Sequence, residues 1–106
     1  MSSAAPERIG LDAYVVDVLL PDLVGHDRRP SAFLVYLALW RATRGGRAAA
    51  PLSLRELAER CGLSKRAVQA AVAVLERRRL VAVVRDGPTA VPVYAALRPW
   101  ERRAAR

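Results

Sequence analysis

The chain has 106 residues, of which 53% are hydrophobic, and carries a formal net charge of +8. A chain of this size holds one modest core, and its apolar content excludes a disordered tail. A single cysteine, Cys61, excludes a disulfide framework or a four-cysteine zinc site within one chain.

Charge is unevenly spread. Residues 1–27 hold five acids (Glu7, Asp12, Asp17, Asp22, Asp27) and one base (Arg8), giving −4, whereas residues 28–106 hold seventeen bases and five acids, giving +12. The basic part favours a polyanionic partner. A GC-rich coding bias explains why seventeen of the eighteen bases are arginine, but not their excess over acids. The organisation expected is an acidic N-terminal arm with one apolar segment (1–27), a main domain (28–100) and a basic tail (101–106).

Residues 1–10, with Pro6 and Gly10, read as an irregular start without a basic-then-apolar signal pattern. The longest apolar run, Ala32 to Trp40, is far short of the roughly 18 residues a membrane span needs, so a cytoplasmic protein is expected. In Leu11 to Leu20, Leu11, Val15 and Leu19 suit a helix face, while Val15, Val16 and Val18 also suit a strand. The reading adopted is a helix stopped near Pro21. Asp22 to Pro30 reads as a polar connector, with His26 as a loop residue rather than a metal ligand.

Ser31 is expected to cap a helix running to about Thr43 and ended by Gly45-Gly46. Its interior is apolar all round, with Phe33, Leu37 and Trp40 on one side and Val35 and Leu39 on another, so it needs cover on more than one side. The helix pair that follows can cover only one. The other must meet the Leu11–Leu20 segment, a second copy of the chain, or both. Leu11, Val15, Leu19, Phe33, Leu37 and Trp40 are therefore candidates for N-terminal packing or dimerisation.

After a connector from Arg47 to Pro51, the segment Ser53 to Glu76 reads as two short amphipathic helices joined by a tight turn. Leu54, Leu57, Ala58 and Cys61 fall at i, i+3, i+4, i+7, which makes Cys61 a small core residue. Ser53 and Glu56 form a capping box, Gly62 can take the left-handed stop, and Ser64 can cap the second helix. That helix packs through Val68, Ala71, Val72 and Leu75. Its opposite face carries Arg66, Ala70, Ala73 and Arg77, with Gln69 on the flank, and suits a major groove. Leu80 to Val84 reads as a strand, Asp86-Gly87-Pro88 as a turn, and Ala90 to Leu97 as a returning strand. Pro92 cannot donate to a ladder, which points to an edge-facing or irregular position there. The tail Arg98 to Arg106 reads as basic and mobile beyond Trp100.

These residues, above all Leu54-Arg-Glu-Leu-Ala58, Gly62-Leu-Ser64, Ala67-Val68, Leu75-Glu76 and Leu80-Val81, resemble the winged helix-turn-helix superfamily over roughly Ser31 to Leu97. They are similar to multiple-antibiotic-resistance-type regulators. Asp17 to Leu23 and Ser31 to Tyr36 look more like the N-terminal domains of phage and plasmid replication proteins. Where such families often have glycine before the wing strand, this chain has Arg79, a poor residue for positive φ. The fold class implied is mainly α with a small β-wing (α+β).

The resemblance implies a double-stranded DNA partner, with the helix Lys65 to Arg78 in the major groove. Arg66 would contact guanine, Gln69 adenine, and Ala70 and Ala73 would allow close approach. Ser64, Lys65, Arg77 and Arg85 would hold backbone phosphates. A transcriptional regulator acting as a homodimer is the leading reading, ahead of a replication or mobile-element DNA-binding protein and a winged-helix protein-interaction module. No clustered His/Cys/carboxylate set or glycine-rich phosphate loop appears, so neither an enzyme nor a cofactor is expected.

Overall fold

The computed structural model describes residues 6–101. Two π-helical stretches, Val15–Leu19 and Pro21–His26, are followed by α1 (Pro30–Ala42), β1 (Ala50–Pro51), α2 (Leu54–Cys61), α3 (Lys65–Arg77), β2 (Val81–Val84) and β3 (Val93–Ala96). The architecture is α+β, a winged helix-turn-helix with a small antiparallel sheet.

The Leu11–Leu20 segment is helical from Ala13 onward, but Pro21 does not stop it. In wide turns, the Leu20 amide reaches the Val15 carbonyl and the Asp27 amide reaches that of Asp22, carrying the helix to His26. Pro21 opens the second stretch, where its missing amide costs little. His26 therefore sits in a last helical turn and not in a loop. α1 starts two residues earlier than expected. Pro30 takes its opening position with Arg29 as N-cap, so Ser31 lies inside the first turn and caps nothing.

The N-terminal segment covers the side of α1 that the helix-turn-helix leaves open. Val15, Leu19 and Leu23 are buried with Phe33, Val35, Tyr36, Leu39 and Trp40 of α1, while Leu57, Val68, Ala71, Val72 and Leu75 close the other side. Leu11 stands outside this core at 41% exposure, and Leu37 is half-buried against it. Cys61 is also half-buried rather than fully enclosed, and burial pushes its thiol pKa up. Each large apolar side chain buried is worth about 1.5–3 kcal/mol, so Val15, Leu19 and Leu23 hold the segment in place. Surface ion pairs, at about 0–1 kcal/mol, are secondary to them.

Those ion pairs nevertheless fix the segment's position. Asp12 accepts from Arg98 Nε at 3.0 Å, from Arg98 Nη2 at 2.8 and 3.0 Å through its two oxygens, and from Trp100 Nε1 at 2.8 Å. Arg78 pairs with both Asp22 and Asp27. Trp40 donates through Nε1 to the Gly10 carbonyl at 2.7 Å, and Trp100 stacks between Tyr14 and Trp40 with ring centroids at 4.6 and 6.5 Å. Trp100 is thus held by the core, and residues 102–106 of the expected basic tail lie outside the described range.

The sheet order is β1-β3-β2. β1 lies inside the expected Arg47–Pro51 connector, where Ala-Pro carries no β-branched signal. The returning strand begins at Val93 rather than Ala90 and is central, so Pro92 is not on an edge strand. Pro92 sits just outside the ladder, and its carbonyl accepts from the Leu52 amide at 3.1 Å. Arg79 makes the turn into β2 with φ +58°, the left-handed conformation that glycine takes more readily.

Candidate nucleic-acid interface

Local hydrogen bonding builds the reading unit. Ser53 Oγ accepts from the Glu56 amide, and Glu56 Oε1 accepts from the Ser53 amide, both at 3.0 Å, completing the capping box of α2. Gly62, at φ +68°, ends α2, and the Leu63 amide returns to the Ala58 carbonyl at 3.1 Å. Ser64 then caps α3 by accepting from the Ala67 amide at 3.1 Å. Its own O–H stays free to donate to a phosphate.

α3 buries Val68, Ala71, Val72, Val74 and Leu75 and turns its other face outward. Lys65, Arg66, Gln69, Ala70 and Arg77 are exposed there, and Ala73 is half-buried. Ala73 lies in a cleft of about 550 Å³ between α3 and the wing, lined by Gln69 and Glu76 on one side and Arg85, Thr89 and Val91 on the other. Arg85 reaches across from the wing base to Glu76 at 3.9 Å. Glu76, which the sequence reading leaves without a role, thus competes with phosphate for Arg85.

The placement of the cations distinguishes function from helix stability. α3 has no acid in its first turn, where Lys65 and Arg66 face the positive end of the helix dipole. Cations there oppose the helix by about 0.3–1 kcal/mol, and an incoming phosphate would reverse that sign. Arg77 and Arg78 sit at the opposite end, where the dipole favours them. The sequence gives Arg78 no partner of its own. Arg78 joins the end of α3 to Asp22 and Asp27, a pairing signalled only by the opposite charges of the two parts of the chain.

Asp22, His26 and Asp27 bring ligand-type atoms within 4.8 Å of one another, but Arg78 already takes both carboxylates. Among the described residues, no helix is long and apolar enough to cross a membrane.

A model described as the MarR family matches residues 39–90, from the end of α1 into the wing loop. No curated protein and no solved structure matches the chain.

Proposed function

Since residues 39–90 place this chain in the MarR-type winged-helix family, whose members are DNA-binding regulators, we propose that it is a sequence-specific transcriptional regulator of double-stranded DNA. In this reading α3 enters the major groove. The observation that carries it is the exposed Lys65, Arg66, Gln69 and Ala70 on a capped helix whose N-terminal cations destabilise it in the absence of an anion. Arg66 and Gln69 read base edges, Ala70 and Ala73 permit close approach, and Ser64, Lys65, Arg77 and Arg85 hold phosphates.

Selection of binding sites from random duplexes tests this. Binding should weaken with salt at a slope of roughly −4 to −5 in log K against log salt, for about four to six neutralised phosphates. Arg66→Ala and Gln69→Ala should each cost about 1–3 kcal/mol at the selected site and relax its sequence. A flat salt response, or an unchanged motif with Arg66→Ala, would overturn the reading.

A single α3 covers only a few base pairs, which favours a homodimer with two reading helices about one DNA turn apart. Val15, Leu19, Phe33 and Trp40 are occupied within their own chain. The contact is therefore assigned to the apolar side chains left exposed on the N-terminal segment, Leu11, Val16, Val18 and Leu20. Sedimentation should show a dimer that Val16→Asp with Leu20→Asp converts to a folded monomer. A monomeric unmodified chain at concentrations above those used for DNA binding would rule this out.

A further inference from the structure

At the end of the sheet away from the wing, a cavity of about 480 Å³ opens between the residues before the first helical stretch, the turn after α1, and Arg98. The strand register fixes its place. Val93 pairs with Val84 and Pro51 at the wing end, and Ala96 pairs with Val81 at the other. At about 3.3 Å per residue, Arg98 lies roughly 16 Å along the chain from Val93. This cavity is not part of the reading face.

Its lining is strongly basic. Five guanidinium side chains (Arg8, Arg41, Arg44, Arg47, Arg98) meet two carboxylates of the lining, Glu7 and Asp12, and Glu101, which pairs with Arg98 at 2.6 Å, leaving a surplus of two positive charges. Glu7 holds Arg41 at 2.9 Å, and Asp12 is committed to Arg98 and Trp100. Arg8, Arg44 and Arg47 have no carboxylate within ion-pair distance among the described residues. Residues 1–5 and 102–106 contain no Asp or Glu that could supply one.

The backbone holds part of this cluster in an unfavourable conformation. Arg44 takes φ +55° beside Gly45 and Gly46, which take φ +68° and +86°. A glycine at 44 would meet the same demand at lower cost, and the arginine adds a guanidinium at the cavity wall. A Cβ on Gly46 would come within 2.7 Å of the Ala96 carbonyl oxygen, so the turn is pressed onto β3 and its position is defined. Attraction to the C-terminal end of α1 accounts for Arg41 and Arg44. It accounts neither for Arg8 and Arg47, which lie beyond that helix, nor for their convergence on one cavity.

We propose that this cavity binds a small phosphate-bearing anion at a site separate from the DNA-reading face. Guanidinium forks match phosphate oxygens in bidentate pairs, and the volume falls within the range of about 300–1,000 Å³ usual for small-molecule sites. Two negative charges would neutralise the surplus.

The test is titration of the full, ¹⁵N-labelled chain with inorganic pyrophosphate at constant ionic strength, following the indole N–H resonance of Trp40, which lines the cavity. A saturable shift is expected. Arg44→Gly with Arg47→Ala should weaken it by about tenfold or more, since two charge-assisted contacts are removed. Lys65→Ala with Arg66→Ala should leave it unchanged. Arg8→Glu, in an exposed stretch, gives the same comparison if the double variant does not fold. A shift that never saturates, or one lost with Lys65 and Arg66 instead, overturns the proposal. So does duplex DNA displacing pyrophosphate from Trp40, which would make the cavity a nucleic-acid contact.

Discussion

Arg79 shows how one side chain can work against the turn that needs it. A left-handed conformation costs a non-glycine residue about 1–2 kcal/mol, and glycine returns about 0.5–1 kcal/mol of that as extra freedom in the unfolded chain. Arg79→Gly, which replaces a residue at φ +58°, should therefore raise stability by about 0.5 kcal/mol. A urea midpoint that rises with an unchanged slope would show it, and a fall would mean that the Arg79 side chain makes a contact worth more than the strain. Lys65→Glu should also stabilise the fold, by about 0.3–1 kcal/mol through the dipole of α3, while abolishing duplex binding. Ser53, Glu56, Gly62 and Ser64 were legible because capping is settled within three or four residues of chain. Asp12 and Arg78 were not, since their partners lie 86 and 51 or more residues away.

The helices that show one apolar stripe were readable from their period. α2 and α3 match the expected layout at every capping position because amphipathic spacing and caps agree. Elsewhere that agreement fails. Pro21 and the valines between Tyr14 and Leu19 gave contradictory local signals, and wide helical turns resolved them by tertiary packing of Val15, Leu19 and Leu23. β1 is two residues long and exists only because β3 offers it an edge. The acidic N-terminal elements also give the fold an acid limit. Burial alone would raise the Asp12 carboxyl, but its bonds to Trp100 and Arg98 and the charges of Arg98 and Arg47 leave its pKa below the usual value. Asp27 is lowered first by its hydrogen bond with His26, against which burial works, and further by its bond to Arg78 and the Arg78 charge. A depressed folded pKa contributes stability that is full above the unfolded value, about 3.9 for Asp, and is lost as pH falls through the folded one. Thermal stability should therefore drop below about pH 4, and Asp12→Asn should flatten part of that decline while lowering stability at pH 7. An acid limb identical in Asp12→Asn would show that Asp12 does not contribute to it.

Across the chain, the contrast between an acidic beginning and a basic remainder proved to be partly internal complementarity, with Asp12, Asp22 and Asp27 paired to Arg98 and Arg78. Among the described residues, the cations without an ion pair include Lys65, Arg66 and Arg77 on the reading face of α3 and Arg44 and Arg47 at the cavity. The pairing of Asp12 with Arg98 and Trp100 also sets an order of events during synthesis. Chain growth runs from the N-terminus at about 5–20 residues per second, so the 88 residues separating Asp12 from Trp100 take roughly 4–18 s to emerge. Through that interval Val15, Leu19 and Leu23 have been made, yet the indole and guanidinium that secure their segment do not exist. The segment is thus made long before it is fastened, and its apolar side chains are open to chaperones while the intervening chain is synthesised. Ribosome-bound chains extended by a C-terminal linker that lets Trp100 clear the exit tunnel should be protease-resistant near Leu19, and equal resistance in linker-extended chains ending before Arg98 would show that burial alone is enough to fasten it.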